Sequence, residues 1–492
     1  MAHQLLARRG PSRLCAAWYL CMALAGCGAL GADDPRQDAK SAAPTVEPAA
    51  PYQPVNVSDL STRKAGVDWP SFLGPNRDSR SPESGIVTKW SRTSPSIVWT
   101  RRLGTSYAMP SISRGRLFQF DRVKNEAVLF AMKSETGEPL WRFSYPTDFE
   151  DPYGYDNGPR SSPVVDDDRV YIYGAEGMLH CLRVTDGTLI WMVDTMAQFG
   201  VVQNFFGVGS TPVIEGELLI VMVGGSPTGS EGTPTERAIG NGSGVVAFDK
   251  FTGKVKYQLS DELASYASPM VTTIGDRRWC FVFARGGLLG FEPSRGALDF
   301  HYPWRAPDVE SVNASNPVVV GDLVFISETY GPGSSLLTVR PGGYDVVWAD
   351  ESRRRAKIMQ THWNTPIHHD GYLYASSGRH TNNAELRCIE LATGNVQWKQ
   401  PGLGRASLLY VDGHFVCLCE YGELLLIRAT HERFDLVATA DLHARPPSGA
   451  AAGVPPAPLL EYPCWAAPIL SHGLLYVRGK KQLVCLQLIA PQ

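Results

Sequence analysis

The sequence predicts an all-β chain, an eight-bladed propeller of four-stranded antiparallel blades, and three observations carry that expectation. The first is a recurring phrase in which a glycine turn is followed four residues later by an aromatic. It reads Thr136-Gly137-Glu138-Pro139-Leu140-Trp141, Asp186-Gly187-Thr188-Leu189-Ile190-Trp191, Thr252-Gly253-Lys254-Val255-Lys256-Tyr257 and Thr393-Gly394-Asn395-Val396-Gln397-Trp398, with a looser copy from Arg295 to Phe300. A unit recurring at roughly 50-residue intervals marks a repeat architecture. The second is composition, with 48 Gly and 36 Pro beside 43% hydrophobic residues, which suits short strands and many turns around a large core. The third is a mismatch at the two ends: the last unit stops after its third strand, and an unassigned strand with a tryptophan, Pro95 to Thr100, precedes the first. The two pieces complete one blade if the chain closes into a ring, which removes the exposed edges of an open sheet.

The elements follow in chain order. Residues 1–27 read as a targeting segment. Arg8, Arg9 and Arg13 precede an apolar run, Leu14 to Ala25, that is too short to span a bilayer. The run ends in Leu24-Ala25-Gly26-Cys27, which resembles a bacterial lipobox and makes Cys27 the expected lipidation site. Ordinary signal cleavage after Gly31 is the alternative. Residues 28–68 are rich in Ala, Pro, Asp and Ser and read as a flexible linker, and 69–492 read as the propeller.

Each blade is expected to open on a small or polar pair before proline. Seven openings have it, at Met109-Pro110, Ser162-Pro163, Thr211-Pro212, Ser268-Pro269, Asn316-Pro317, Thr365-Pro366 and Ala467-Pro468, while Ala406-Ser407 lacks the proline. Within a blade, the glycine takes φ > 0 in the turn between the third and fourth strands. The aromatic that follows is placed to pack between neighbouring blades. Cys181, Cys388 and Cys485 recur at one position of the repeat and read as small core residues, while Cys417 and Cys419 lie about 7 Å apart on one strand face, too far for an easy disulfide. Asp166-Asp167-Asp168 reads as turn chemistry. The insertions fall at 148–160, 224–244 and 443–462, where binding can be added without disturbing the blades.

These repeats resemble the pyrroloquinoline-quinone-type propeller repeat, found in quinoprotein dehydrogenases and in the non-catalytic lipoprotein subunit of the outer-membrane barrel-assembly machinery. Trp69-Pro70-Ser71-Phe72-Leu73-Gly74-Pro75-Asn76-Arg77-Asp78, and Ser377-Gly378-Arg379-His380 with Glu385-Leu386-Arg387-Cys388, are similar to a group of exported propellers common in planctomycete-type bacteria. The dehydrogenase branch implies pyrroloquinoline quinone, calcium, an adjacent-cysteine disulfide and an aspartate base. The sequence has no Cys-Cys pair and no acidic residue close before Pro212, Pro366 or Pro468, so quinone and calcium are unsupported and no catalytic or metal-binding residue is assigned.

Residues just before each first strand should face one mouth of the channel. They are Tyr107, Arg160, Asn204, Tyr266, Asn313, His362, Asn364, Arg405 and Trp465, a mixture suited to a sugar or an anion. Phe205-Phe206 is an apolar pair outside any expected strand. A net charge of −3 and a single short arginine block argue against nucleic acid. The resulting expectation is a monomeric, exported, lipid-anchored propeller of the periplasm or outer membrane that binds a cell-envelope protein or peptide as a scaffold. The alternative is a periplasmic quinoprotein-like oxidoreductase acting on alcohols or sugars.

Overall fold

A computed structural model describes residues 52–91, 95–202, 204–230, 233–308, 311–350, 356–440, 442–443 and 458–491. Cys27 and the targeting segment lie outside these residues, as does most of the 443–462 insertion. The described residues form eight sheets, each holding four antiparallel strands, A to D, and in seven of them these strands follow one another in sequence order. Blade 1 comprises Ser111–Ser113, Arg116–Val123, Glu126–Lys133 and Pro139–Pro146; the next five blades repeat that plan. Blade 7 starts at Ala406–Val411, the opening without proline.

Blade 8 is built from both ends of the chain. Its strands A to C are Ile469–Ser471, Leu474–Arg478 and Gln482–Gln487, and its strand D is the N-terminal Ser96–Arg102, which pairs antiparallel with Gln482–Gln487 and sets Trp99 opposite Cys485. The ring therefore closes as the mismatched ends predict.

One irregularity recurs in all eight D strands: the register slips by one residue just before the aromatic position. Such a bulge re-aims the residue that follows it. In six blades the re-aimed side chain reaches a backbone carbonyl of the next blade. Trp99 Nε1 donates to Ser134 O at 2.9 Å, Trp141 to Val184 O at 2.9 Å, Trp191 to Lys250 O at 3.0 Å, Trp348 to Leu391 O at 2.9 Å and Trp398 to Thr430 O at 3.1 Å, and Tyr257 Oη donates to Pro293 O at 2.6 Å. The turn glycine of the next blade lies beneath the ring. A Cβ on Gly187, which holds φ +73°, would come within 2.6 Å of the Trp141 ring. Glycine and aromatic thus belong to two different blades and form one joint. Cys181, Cys388 and Cys485 sit on strand C directly across from Trp191, Trp398 and Trp99, buried as free thiols.

The channel wall has its own joint, formed by the residue before each proline. Met109 N donates to Ser162 Oγ at 3.0 Å, Ser162 N to Thr211 Oγ1 at 3.0 Å, Thr211 N to Ser268 Oγ at 2.9 Å, Ser268 N to Asn316 Oδ1 at 2.7 Å, and Asn316 N to Thr365 Oγ1 at 3.1 Å. Five consecutive seams, from blade 1 to blade 6, are closed this way.

Blades 7, 8 and 1 are joined differently. A single apolar cluster runs through all three, including Leu409, Leu426, Leu475, Leu486, Ile112 and Leu117, and it packs on the fully buried Trp69. Inside it, Arg478 of blade 8 donates to Ala108 O at 3.0 Å and pairs with Asp121 of blade 1 at 3.1 Å, with both side chains buried.

The N-terminal segment is part of this construction. Residues 53–68 belong to the same compact unit as the blades: Val55 N donates to Asp168 Oδ2 at 2.9 Å, Leu60 N to Arg114 O at 3.0 Å, and His472 Nε2 lies 3.1 Å from Asp68 Oδ1. The propeller's contacts begin well before Trp69, because paired backbone groups and the buried Val57 hold a stretch whose composition looks like linker. Trp69 then bridges to Ile112 of blade 1 through two backbone hydrogen bonds, Pro70 O accepts from Val165 of blade 2, and Ser79 O accepts from Tyr410 of blade 7, where Arg80–Ser81 adds a parallel fifth strand. The segment thus crosses the channel from blades 1 and 2 to blade 7.

Candidate functional site

The crossing segment divides the channel. Phe72, Leu73 and Ser79 line a cup of about 210 Å3 at one mouth, while Pro75 to Asp78 and Arg80 line a basin of about 620 Å3 on the far side. Leu73, Arg77 and Ser79 hold positive φ values of 62°, 60° and 55°, a conformation that costs non-glycine residues free energy and here shapes the cup's floor.

The loops before the A strands build the wall. Tyr107, Arg160, Tyr266, His362, Asn364, Arg405 and Trp465 all line the cup. Asn204 and Asn313 do not, which corrects their assignment to the mouth. Asn313 is buried and its Nδ2 donates to Ala284 O at 2.8 Å and Trp304 O at 3.2 Å, while Asn204 donates to Ala264 O at 2.9 Å beside a separate small cavity. Both amides satisfy loop carbonyls that would otherwise be buried without partners.

Four further aromatics complete the wall: Phe206 of the apolar pair, and Tyr155, Tyr330 and Trp363, which local spacing gave no reason to choose. Tyr155 comes from the 148–160 insertion. Phe206 is the outer member of the apolar pair, and Phe205 is buried under Arg285, whose guanidinium sits 5.2 Å from its ring. None of the described residues of the Gly224 to Gly244 insertion lines the cup; Gly224, Thr235 and Ala238 lie beside Asn204 instead.

The rings touch in series. Trp363 lies 4.5 Å from Trp465, Trp465 4.9 Å from Tyr107 and 6.2 Å from Tyr155, and Tyr155 5.8 Å from Phe206. Arg405 is held between Trp363 at 4.6 Å and Trp465 at 5.1 Å, and Arg160 lies 5.6 Å from Tyr107. Such placements over ring faces are favourable because the faces are electron-rich.

Each guanidinium has its own carboxylate. Arg405 donates to Glu420 Oε2 through Nη2 at 2.7 Å and Nε at 2.9 Å, and Arg160 pairs with Asp151 at 2.8 Å; neither carboxylate has any exposed side-chain surface. Burial pushes the Glu420 carboxyl up, but hydrogen bonds from Arg405 and its charge outweigh this and hold it below its ordinary value. His362 is pushed down to about 3 by burial and by the charges of Arg405 and Arg379, so it is neutral at physiological pH. Its Nε2 lies 3.0 Å from the Tyr330 hydroxyl. Glu420 lies on a loop between strands B and C, which is why inspection of the blade openings misses it.

The donor set does not fit a calcium-bound quinone. Calcium takes six to eight oxygen ligands, and the carboxylates nearest the cup are committed within the protein, Glu420 and Asp151 to arginine and Asp156 to the Gly158 amide at 2.6 Å. Among the described residues no group of three metal-binding side chains occurs, and the seven cysteines described are free and buried. No step through such a group is derived.

Comparisons with known proteins agree with the fold. BamB from Moraxella catarrhalis superposes with a TM-score of 0.52 at 12% identity, over 80% of this chain and 97% of that one. Quinohemoprotein alcohol dehydrogenase from Comamonas testosteroni gives 0.58 at 11%, over 85% and 80%, and the ADHIIG enzyme from Pseudomonas putida HK5 gives 0.57 at 11%, over 86% and 80%. At these identities the likeness concerns the fold alone. No curated protein matches by sequence. The profile of one family matches residues 83–222 and 125–400, which together span more than half of the chain, and on that match the chain belongs to the family described as outer membrane protein assembly factor BamB.

Proposed function

We propose that this propeller is an exported cell-envelope scaffold that binds a partner protein or peptide at the rim of the cup. The observation that carries the reading is an arc of exposed aromatics on the loops there. Tyr153, Tyr155, Tyr421 and Tyr462 are each 43 to 56% exposed, and they are linked through Phe206 and Trp465. Tyrosine, tryptophan and arginine carry a disproportionate share of binding energy at protein interfaces. The family membership supports envelope assembly as the setting; attachment through a lipid on Cys27, read from the lipobox-like Leu24-Ala25-Gly26-Cys27, and a monomeric ring complete the proposal.

The test is affinity capture from solubilised envelopes with the full chain and with a Tyr155→Ala/Tyr421→Ala double variant. The reading expects an outer-membrane or periplasmic partner that the variant retains at least tenfold less. Equal capture by both proteins would overturn it. Quinone- and calcium-dependent dye reduction with alcohols or sugars would replace it with the oxidoreductase reading. Cys27→Ala should move the protein from the membrane to the soluble fraction.

A further inference from the structure

The cup inside the rim has a chemistry of its own. It is aromatic on its walls, closed below by Phe72 and Leu73, and balanced in charge. Arg160 and Arg405 are paired with fully buried carboxylates, and Arg379, which lies 4.3 Å from the Tyr330 ring, has Asp308 at 3.9 Å. A charged occupant would meet no spare countercharge and would lose its hydration against ring faces. Both ends of a peptide are charged near neutrality, and a through-running segment needs a groove, whereas this cavity has a floor. The shape and charge therefore select a compact neutral group.

Polar atoms are nevertheless on offer. Among the described residues, the Tyr107 hydroxyl has charged neighbours but no hydrogen-bond partner, and Trp363 Nε1 donates to none. A pyranose ring matches this combination: one face presents polarised C–H groups to the electron-rich faces of Trp363 and Trp465, and the edge presents hydroxyls that both donate and accept. We infer that the cup formed by Tyr107, Trp363, Trp465 and the Phe72-Leu73 floor is a binding site for a neutral sugar ring, taken as a free saccharide or as the end of a glycan. This goes beyond the scaffold reading and does not rest on it.

Tryptophan fluorescence of the purified full chain, titrated with methyl β-glucoside, N-acetylglucosamine, maltose and cellobiose, tests the site. Glucuronic acid, inorganic phosphate and a proline-rich peptide serve as contrasting probes. Saturable quenching by at least one neutral sugar is expected, weakened at least tenfold by Trp363→Ala and about three- to tenfold by Tyr107→Phe, which keeps the ring and removes one hydroxyl. If circular dichroism shows that Trp363→Ala does not fold, Tyr107→Phe alone decides. Co-sedimentation with insoluble peptidoglycan or chitin separates the sources: a glycan end co-sediments, whereas a free saccharide binds only in solution. Absence of saturation by every neutral sugar and polymer, tighter binding of glucuronate, phosphate or the peptide, or sugar binding indifferent to both variants would overturn the inference. Envelope capture that persists when sugar binding fails would leave the scaffold reading standing.

Discussion

Blades 1 to 6 and the sector of blades 7, 8 and 1 solve the same joining problem with different chemistry. The first set closes its inner seams with one hydrogen bond each, from the amide before the proline to a serine, threonine or asparagine oxygen of the next blade. In the second, the seams into blades 8 and 1 have Ala467 and Met109 at the matching positions, which carry no such oxygen, and Ser407 of blade 7 turns its hydroxyl to Trp465 O at 3.4 Å. It relies instead on a continuous apolar cluster, a buried ion pair and the crossing segment around Trp69. The repeated bonds are local and individually modest. The closing sector must join the chain's two ends, and non-directional burial tolerates the irregular geometry that this brings.

The contrast makes the closing sector the place of largest loss. Asp121→Ala leaves Arg478 buried without a countercharge and should lower stability by about 3–5 kcal/mol in urea unfolding. A loss under about 1 kcal/mol would mean that the apolar cluster alone holds that seam. Gly187→Ala tests an outer joint: it meets the Trp141 ring and forces a side chain to positive φ, for an expected loss of about 2 kcal/mol by the same measurement. Thr211→Val strands the amide of Ser162 in an inner seam and should cost about 1–2 kcal/mol, whereas Met109→Leu at the equivalent position of the apolar sector should cost less than about 1 kcal/mol.

The smallest expected effect concerns pH. His472 is raised above its ordinary value of 6.5, chiefly by its hydrogen bond to Asp68, so its contribution is whole below 6.5 and fades as pH rises through the raised folded value. Burial raises Asp68, but hydrogen bonds from His472, Arg114 and Ser113 lower it further, so its contribution is whole above 3.8 and fades as pH falls through the lowered value. The N-terminal clasp should therefore be firmest between these limits. His472→Gln should flatten the alkaline limb of a plot of melting temperature against pH, by about 0.5 kcal/mol. An unchanged limb would show that Glu83, which accepts from the amides of His472 and Gly473 at 2.9 and 2.7 Å, carries the clasp instead.

Much of the ring was legible because each blade is one local unit written eight times. The openings, the glycine turns and the orphan strand with Trp99 each report a short-range backbone preference, and such preferences survive in sequence. The site was half legible for the same reason. Residues at the blade openings, such as Tyr107, Arg405 and Trp465, reach the cup because every opening points to the channel. Asn313 has the same placement but turns its amide inward to the carbonyls of Ala284 and Trp304.

Local spacing and propensity thus fixed the blade count, the ring closure and the joint between glycine and aromatic. Three further features depend on contacts that only the folded chain makes. Trp69 to Ser79 crosses the channel and floors the cup, because its backbone finds partners in blades 1, 2 and 7. Glu420 and Asp151 reach Arg405 and Arg160 and cancel their charge. The residues before five of the seven prolines find an oxygen on the next blade about 50 positions away, and no local pattern specifies which amide a distant side-chain oxygen will meet.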